Sequence, residues 1–129
     1  MENIFIAIII IALLFLLIKV AGSRIENKHE QWLKNDFAKE IVIGEKIVIP
    51  EKLDLLFEKR KTSGRKEIPD VVRYLRSDKG RYIHYAAWLL INEYPYSEVR
   101  VIDEMEVRED IARYNKERYV ELFGEMKSI

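Results

Sequence analysis

Between Lys59 and Arg81 the chain carries nine bases, Lys59, Arg60, Lys61, Arg65, Lys66, Arg73, Arg76, Lys79 and Arg81, against three acids, Glu67, Asp70 and Asp78. Such an excess suits phosphate, either on the headgroups of an anionic leaflet or along a nucleic-acid backbone. Tyr74 and Tyr82 lie among these bases and could stack on nucleobases. The contact residues read from this segment are Arg65, Lys66, Arg73, Arg76 and Lys79, with Tyr74 and Tyr82 as aromatic contacts. From Glu93 to Glu125 the sign reverses, with ten acids to five bases. The plainer reading pairs the two segments with each other, inside one domain or across a homo-oligomer. A charge run is usually a solvated face, and an acidic protein partner is a further option.

Other chemistry is weakly signalled. Asp103, Glu104, Glu106, Glu109 and Asp110 could offer oxygen ligands to a divalent cation. They lack the glycine and spacing of a calcium loop, and acids at the start of a helix complement its dipole. His29-Glu30 begins like a zinc-protease helix, but Leu33 stands where the second histidine belongs. His84 sits in an apolar run and reads as a hydrogen-bonded core residue. Two histidines without cysteine do not make a zinc site. Lys61-Thr62 resembles the end of a phosphate-binding loop, yet Leu55 and Arg60 replace its glycines. Neither the nucleophile-elbow nor the dinucleotide motif is present. No catalytic residue, metal ligand or cofactor-binding residue is assigned, and the chain is read as a non-enzyme.

The elements that must position these residues begin with an anchor. Ile4 to Ile18 is an uninterrupted apolar run. Extended through Val20, Ala21 and Gly22, it approaches the roughly 30 Å of a hydrocarbon core. The lipid-facing stretch is therefore read as residues 3–22, with Lys19 at one interface. A cleaved signal is the rival reading, but such signals begin basic and this one begins with Glu2. A buried or interfacial helix is the third. Lys19, Arg24, Lys28 and Lys34 all follow the run and no Lys or Arg precedes it. The positive-inside rule then puts the N-terminus outside and the C-terminal domain in the cytoplasm.

The remaining chain has room for one modest core. Residues 23–40 read as a helical stalk, with Gly22-Ser23 as a kink or small break. Residues 41–129 read as a small soluble domain. In it, IVI-GE-KIVI predicts a hairpin with a type II′ turn at Gly44-Glu45. Helices are predicted over Glu51 to Lys61 after Pro50, from Asp70 onward carrying Val71, Val72 and Leu75, and over Arg81 to Glu93 as the central core helix. Ser97 to Asp103 alternates and predicts a strand beside the hairpin. Glu106 to Lys127 predicts a long amphipathic helix. Thr62 to Gly64 reads as a loop.

The fold class expected is helix-rich α+β: one transmembrane helix, then a domain with a β-hairpin and three to four helices. A wholly helical domain is the alternative. The function expected is a single-pass membrane protein whose domain recruits or inhibits a protein partner at the membrane. A tethered nucleic-acid binder using residues 59–81 is the alternative, which balanced charge (22 bases, 22 acids) and the tether both weaken. A membrane-bound metal-dependent hydrolase is third. The absence of cysteine removes disulfides and thiol chemistry. The composition suits a bacterium or phage.

Overall fold

The computed structural model describes residues 2–61, 67–90 and 93–125, with backbone alone for residues 21–26. The chain divides into two compact units, Met1–Lys34 and Asn35–Ile129. Helix α1, Glu2–Phe37, supplies the first unit and its last three residues open the second. Its Glu2–Val20 stretch is 19 residues long and none of it is buried. At about 1.5 Å per residue this is roughly 29 Å, close to a hydrocarbon core. The helix is thus long and apolar enough to cross a membrane. No break occurs at Gly22-Ser23, and the helix stops three residues short of the predicted Glu40.

In the second unit, β1 (Ile41–Ile43) and β2 (Lys46–Val48) form the expected hairpin, with Ile43 opposite Lys46. Gly44 has φ +65° and no other residue type has positive φ among the described residues, which is the sign pattern a type II′ turn needs. Pro50–Lys52 is a single 3-10 turn. A four-stranded antiparallel sheet follows, in the order of the chain: β3 (Asp54–Arg60), β4 (Val71–Arg76), β5 (Tyr82–Trp88) and β6 (Tyr96–Ile102). Helices α2 (Glu104–Tyr114) and α3 (Lys116–Phe123) close the unit. The fold class is therefore α+β, and the wholly helical alternative is overturned.

Three predicted helices are strands, each for a local reason. In β3, Leu55 lies opposite Leu75 but Phe57 lies opposite Tyr74, so Leu56 is an extra, bulged residue. A bulge breaks the two-residue alternation and leaves apolar residues at helix-like spacing. Leu56 is buried, and its carbonyl accepts a hydrogen bond from Arg118 Nε at 2.7 Å. In β4, Pro69-Asp70 does not open a helix. Asp70 instead accepts the Leu89 backbone N–H at 2.7 Å, fastening the strand's start to the end of β5. In β5, burial on both faces makes an apolar run that periodicity cannot distinguish from a core helix. Strand β6 forms as predicted, though it pairs with β5 and not with the hairpin. The long C-terminal helix is two helices. Asn115 breaks it, taking φ −155° and accepting the Arg118 N–H through its side chain at 3.0 Å.

The two sheet faces hold different structures. On one, Leu56, Tyr74 and Ile102 pack with Val107 and Ile111 of α2, and Tyr119, Leu122 and Phe123 of α3 flank them. On the other, Asp36 at the end of α1 accepts hydrogen bonds from the Tyr85 hydroxyl at 2.6 Å and from Ser97 Oγ at 2.5 Å. Phe37 meets Tyr85 edge-on, and the Arg73 guanidinium lies 4.3 Å from its ring centre. Arg73 also donates to Glu58 at 2.8 Å, and Arg60 donates to the same carboxylate. Burial disfavours the Glu58 charge, but the hydrogen bonds from Arg60 and Arg73 outweigh it and hold its pKa below the ordinary value.

Candidate functional site

Antiparallel register builds the floor of a cavity of about 400 Å³ on the α2 face of the sheet. Val72, Ala86 and Glu98 form one cross-strand row, and Tyr74, His84 and Arg100 the next. Side chains two apart on a strand share a face, so Trp88 joins His84 and Ala86. Ala86 offers only a methyl between an imidazole and an indole, and the floor sinks there. Lys59 and Lys61 of the β3 end, Ile68-Pro69, and Asp110, Arg113 and Tyr114 of the last turns of α2 make the walls.

Four cations and two carboxylates line this space. Several are committed already. The Tyr74 hydroxyl donates to Asp110 at 2.7 Å, and Arg100 pairs with Glu106 at 2.7 Å. Lys59 Nζ sits 3.8 Å from the centre of the Tyr114 ring, a cation–π contact. The side chains of Lys61 and Arg113 have no ion-pair or hydrogen-bond partner among the described residues. Trp88 is 8% exposed, stacks on Tyr96 at 4.8 Å, and its buried Nε1–H has no acceptor there. Burial, reinforced by the Arg100 charge, keeps the His84 pKa below 6.5, against the pull of Asp110, Glu106 and Glu98. Burial and the bond to Asp110 push the Tyr74 hydroxyl far above its ordinary pKa, so it stays a donor.

A second concavity, about 390 Å³, lies between the hairpin and the β4–β5 turn. Ile43, Val48, Ile49, Leu53, Ile83 and Val101 give it an apolar lining, and Lys46, Lys52, Lys79 and Arg81 stand around it. Ile47 also lines it, and Val42 stands directly opposite Ile47 on the hairpin; the two are 67% and 69% exposed.

The basic segment read from sequence is therefore not one surface. Arg65 and Lys66 lie outside the described residues. Arg73 and Tyr74 point to opposite faces of β4 and both are drawn inward, Arg73 to Glu58 and Phe37, Tyr74 to Asp110. Tyr74 is 2% exposed, which leaves little of its ring open to a stacking nucleobase. The Tyr82 hydroxyl turns to Glu104 at 3.4 Å. Arg76 and Lys79 remain accessible, and only Lys79 lines the hairpin groove. Four of the five acids read as a group, all but Glu109, are similarly engaged. Asp103 caps α2 through the Glu106 N–H, Glu104 pairs with Arg108 at 2.9 Å, and Asp110 holds Tyr74. Among the described residues no acids or histidines are grouped as a metal site would require.

Sequence reasoning passed over Ala86, Trp88, Glu98, Arg100, Arg113 and Tyr114. Of these, only Glu98 and Arg100 had a signal, the alternation in YSEVRVI; the two-sided burial of YIHYAAW hid Ala86 and Trp88. Read as strands, the two segments put Tyr82, His84, Ala86 and Trp88 beside Tyr96, Glu98 and Arg100. Against known proteins, the chain matches no protein-family profile, no curated protein and no solved structure.

Proposed function

We propose that this is a single-pass membrane protein whose C-terminal domain is a cytoplasmic interaction module, recruiting or inhibiting a protein partner at the bilayer. The observation that carries the anchor is the Glu2–Val20 helix, apolar throughout its middle and buried nowhere. A core helix of a soluble protein hides such a surface. The orientation rests on Lys19, Arg24, Lys28 and Lys34 all following the span. A binding role is supported by the structural engagement of Asp103 in capping α2 and of Glu104 and Glu106 in ion pairs.

The hairpin groove supports contact with anionic headgroups. Exposed Val42 and Ile47 flanked by Lys46, Lys52, Lys79 and Arg81 combine apolar area with cations, the pairing that favours an anionic interface. A tether keeps the domain at high local concentration near the bilayer, so a weak contact suffices. Of the two tyrosines on which the nucleic-acid alternative would stack bases, Tyr74 is buried and Tyr82 is partly exposed.

The test uses the whole chain reconstituted in vesicles. Its lack of cysteine allows an environment-sensitive dye at Ile47→Cys alone. Emission should shift to the blue as anionic lipid replaces neutral lipid, and Lys79→Glu with Arg81→Glu should abolish the shift. Identical emission in both lipids removes the headgroup role.

A further inference from the structure

The four-stranded sheet has two edges, and they are finished differently. At β3 the Leu56 bulge interrupts the ladder, and Arg118 takes up the bulged residue's carbonyl at 2.7 Å. An unbroken run of charges, Glu58 to Lys61, then closes that edge. Bulges and charges of this kind blunt an edge against further pairing. Strand β6 is not bulged. Its register against β5 runs unbroken from Tyr96 to Ile102, with no Pro or Gly inside it. Among the described residues its backbone hydrogen bonds all go to β5, so alternate N–H and C=O groups face outward without partners. We propose that β6 is a dimer interface, pairing antiparallel with β6 of a second copy about a twofold axis through Val99. The proposal rests on the second unit alone and stands whether or not α1 crosses a membrane.

The residues of β6 select that occupant and that register. A twofold axis normal to the sheet keeps each face continuous, so it must centre on a residue. Centred on Val99, it sets Glu98 opposite Arg100 of the second copy, and Arg100 opposite the second Glu98. Both residues are exposed. Glu98 has no ion-pair or hydrogen-bond partner among the described residues. Arg100 reaches Glu106 through its two Nη atoms and leaves Nε–H uncommitted. The same register puts Tyr96 opposite Ile102 and Val99 opposite Val99, apolar on apolar. Opposite charges and apolar pairs directly across a ladder stabilise it. Moving the centre by one residue sets Glu98 on Glu98 or Arg100 on Arg100, and like charges there destabilise. A foreign strand would need a matching pattern of charges, whereas β6 carries its own complement.

Disulfide trapping in the whole chain, held in detergent micelles, tests this, because no native cysteine competes. Directly opposed residues have Cα atoms about 4.5–5.5 Å apart, within disulfide reach. Val99→Cys should therefore give a covalent dimer on mild air oxidation. Val101→Cys is the control, at a more exposed position. Val101 faces Ser97 in this register, so its two copies stand roughly 13 Å apart along the strands. Beyond disulfide reach, it should cross-link at least about tenfold more slowly. Adding Glu98→Arg to Val99→Cys opposes arginine to arginine, and adding Arg100→Glu instead opposes glutamate to glutamate. Each alone should lose the cross-link while keeping the parent's circular dichroism. Mixed in equal amounts, the two should regain it as a heterodimer identified by mass, because every arginine then meets a glutamate. Equal cross-linking at Val99 and Val101 overturns the proposal, as does a Val99→Cys chain that stays monomeric. A cross-link that survives either reversal, or a mixture of the two folded variants that yields none, overturns it as well.

Discussion

Asp36 and His84 show how single side chains set the second unit's tolerance of change. Asp36 serves two donors, Tyr85 and Ser97, and Tyr85 is fully buried. Asp36→Ala strips the acceptor from a buried hydroxyl, which typically costs about 1–3 kcal/mol. Chemical denaturation of the whole chain in micelles should show that loss, and an unchanged midpoint would mean that water replaces the carboxylate at no cost. His84 makes stability depend on pH. Its folded pKa lies below 6.5, so as the pH falls past that value the unfolded chain takes up a proton that the folded chain refuses. The contribution is complete above 6.5, declines in the window beneath it, and levels off below the folded pKa. Cooling of the melting temperature from about pH 7.5 to about pH 5.5 should therefore be smaller in His84→Gln than in the parent. Equal drops would place the acid sensitivity elsewhere. Glu58 acts in the same direction but in the lower window beneath 4.5, so the two are separable.

Elements differ in how plainly they were written in the chain. The hairpin was legible because Gly44 and its β-branched flanks are local signals. Strand β6 was legible because one face is wet and its alternation survives. Strands β3 and β5 were not, because a bulge and two-sided burial each erase the two-residue period, and β4 was mistaken because Pro69-Asp70 imitates a helix start. The error propagated to the site. A helix over 81–93 turns Ala86 away from His84 and Trp88, whereas a strand sets all three in line over the cavity floor. The break at Asn115 is a further element-scale device, since this one residue ends α2 with its backbone and caps α3 with its side chain. Asn115→Ala should cost about 0.5–2 kcal/mol, the usual range for a lost N-cap. Asn115→Asp, which keeps the acceptor, should restore most of it. Equal losses in both variants, read from the same denaturation midpoints, would show that the side chain's acceptor is not what matters.

The whole molecule joins an apolar helix to a polar α+β domain, and its balanced charge conceals that the bases of the middle are spent in several places. Some pair inward, as Arg73 does; some rim the hairpin groove, as Lys79 and Arg81 do; and Lys59 and Lys61 wall the cavity. Everything proposed for the groove depends on the anchor. Alkaline carbonate extraction of cells expressing the untagged chain, followed by intact-mass measurement of both fractions, tests it most directly. The account predicts the full 15.4 kDa chain in the membrane pellet. It also predicts release into the supernatant when Ile10→Lys and Leu14→Asp break the span. The unaltered chain in the supernatant, or a product shortened after residue 22, would contradict it.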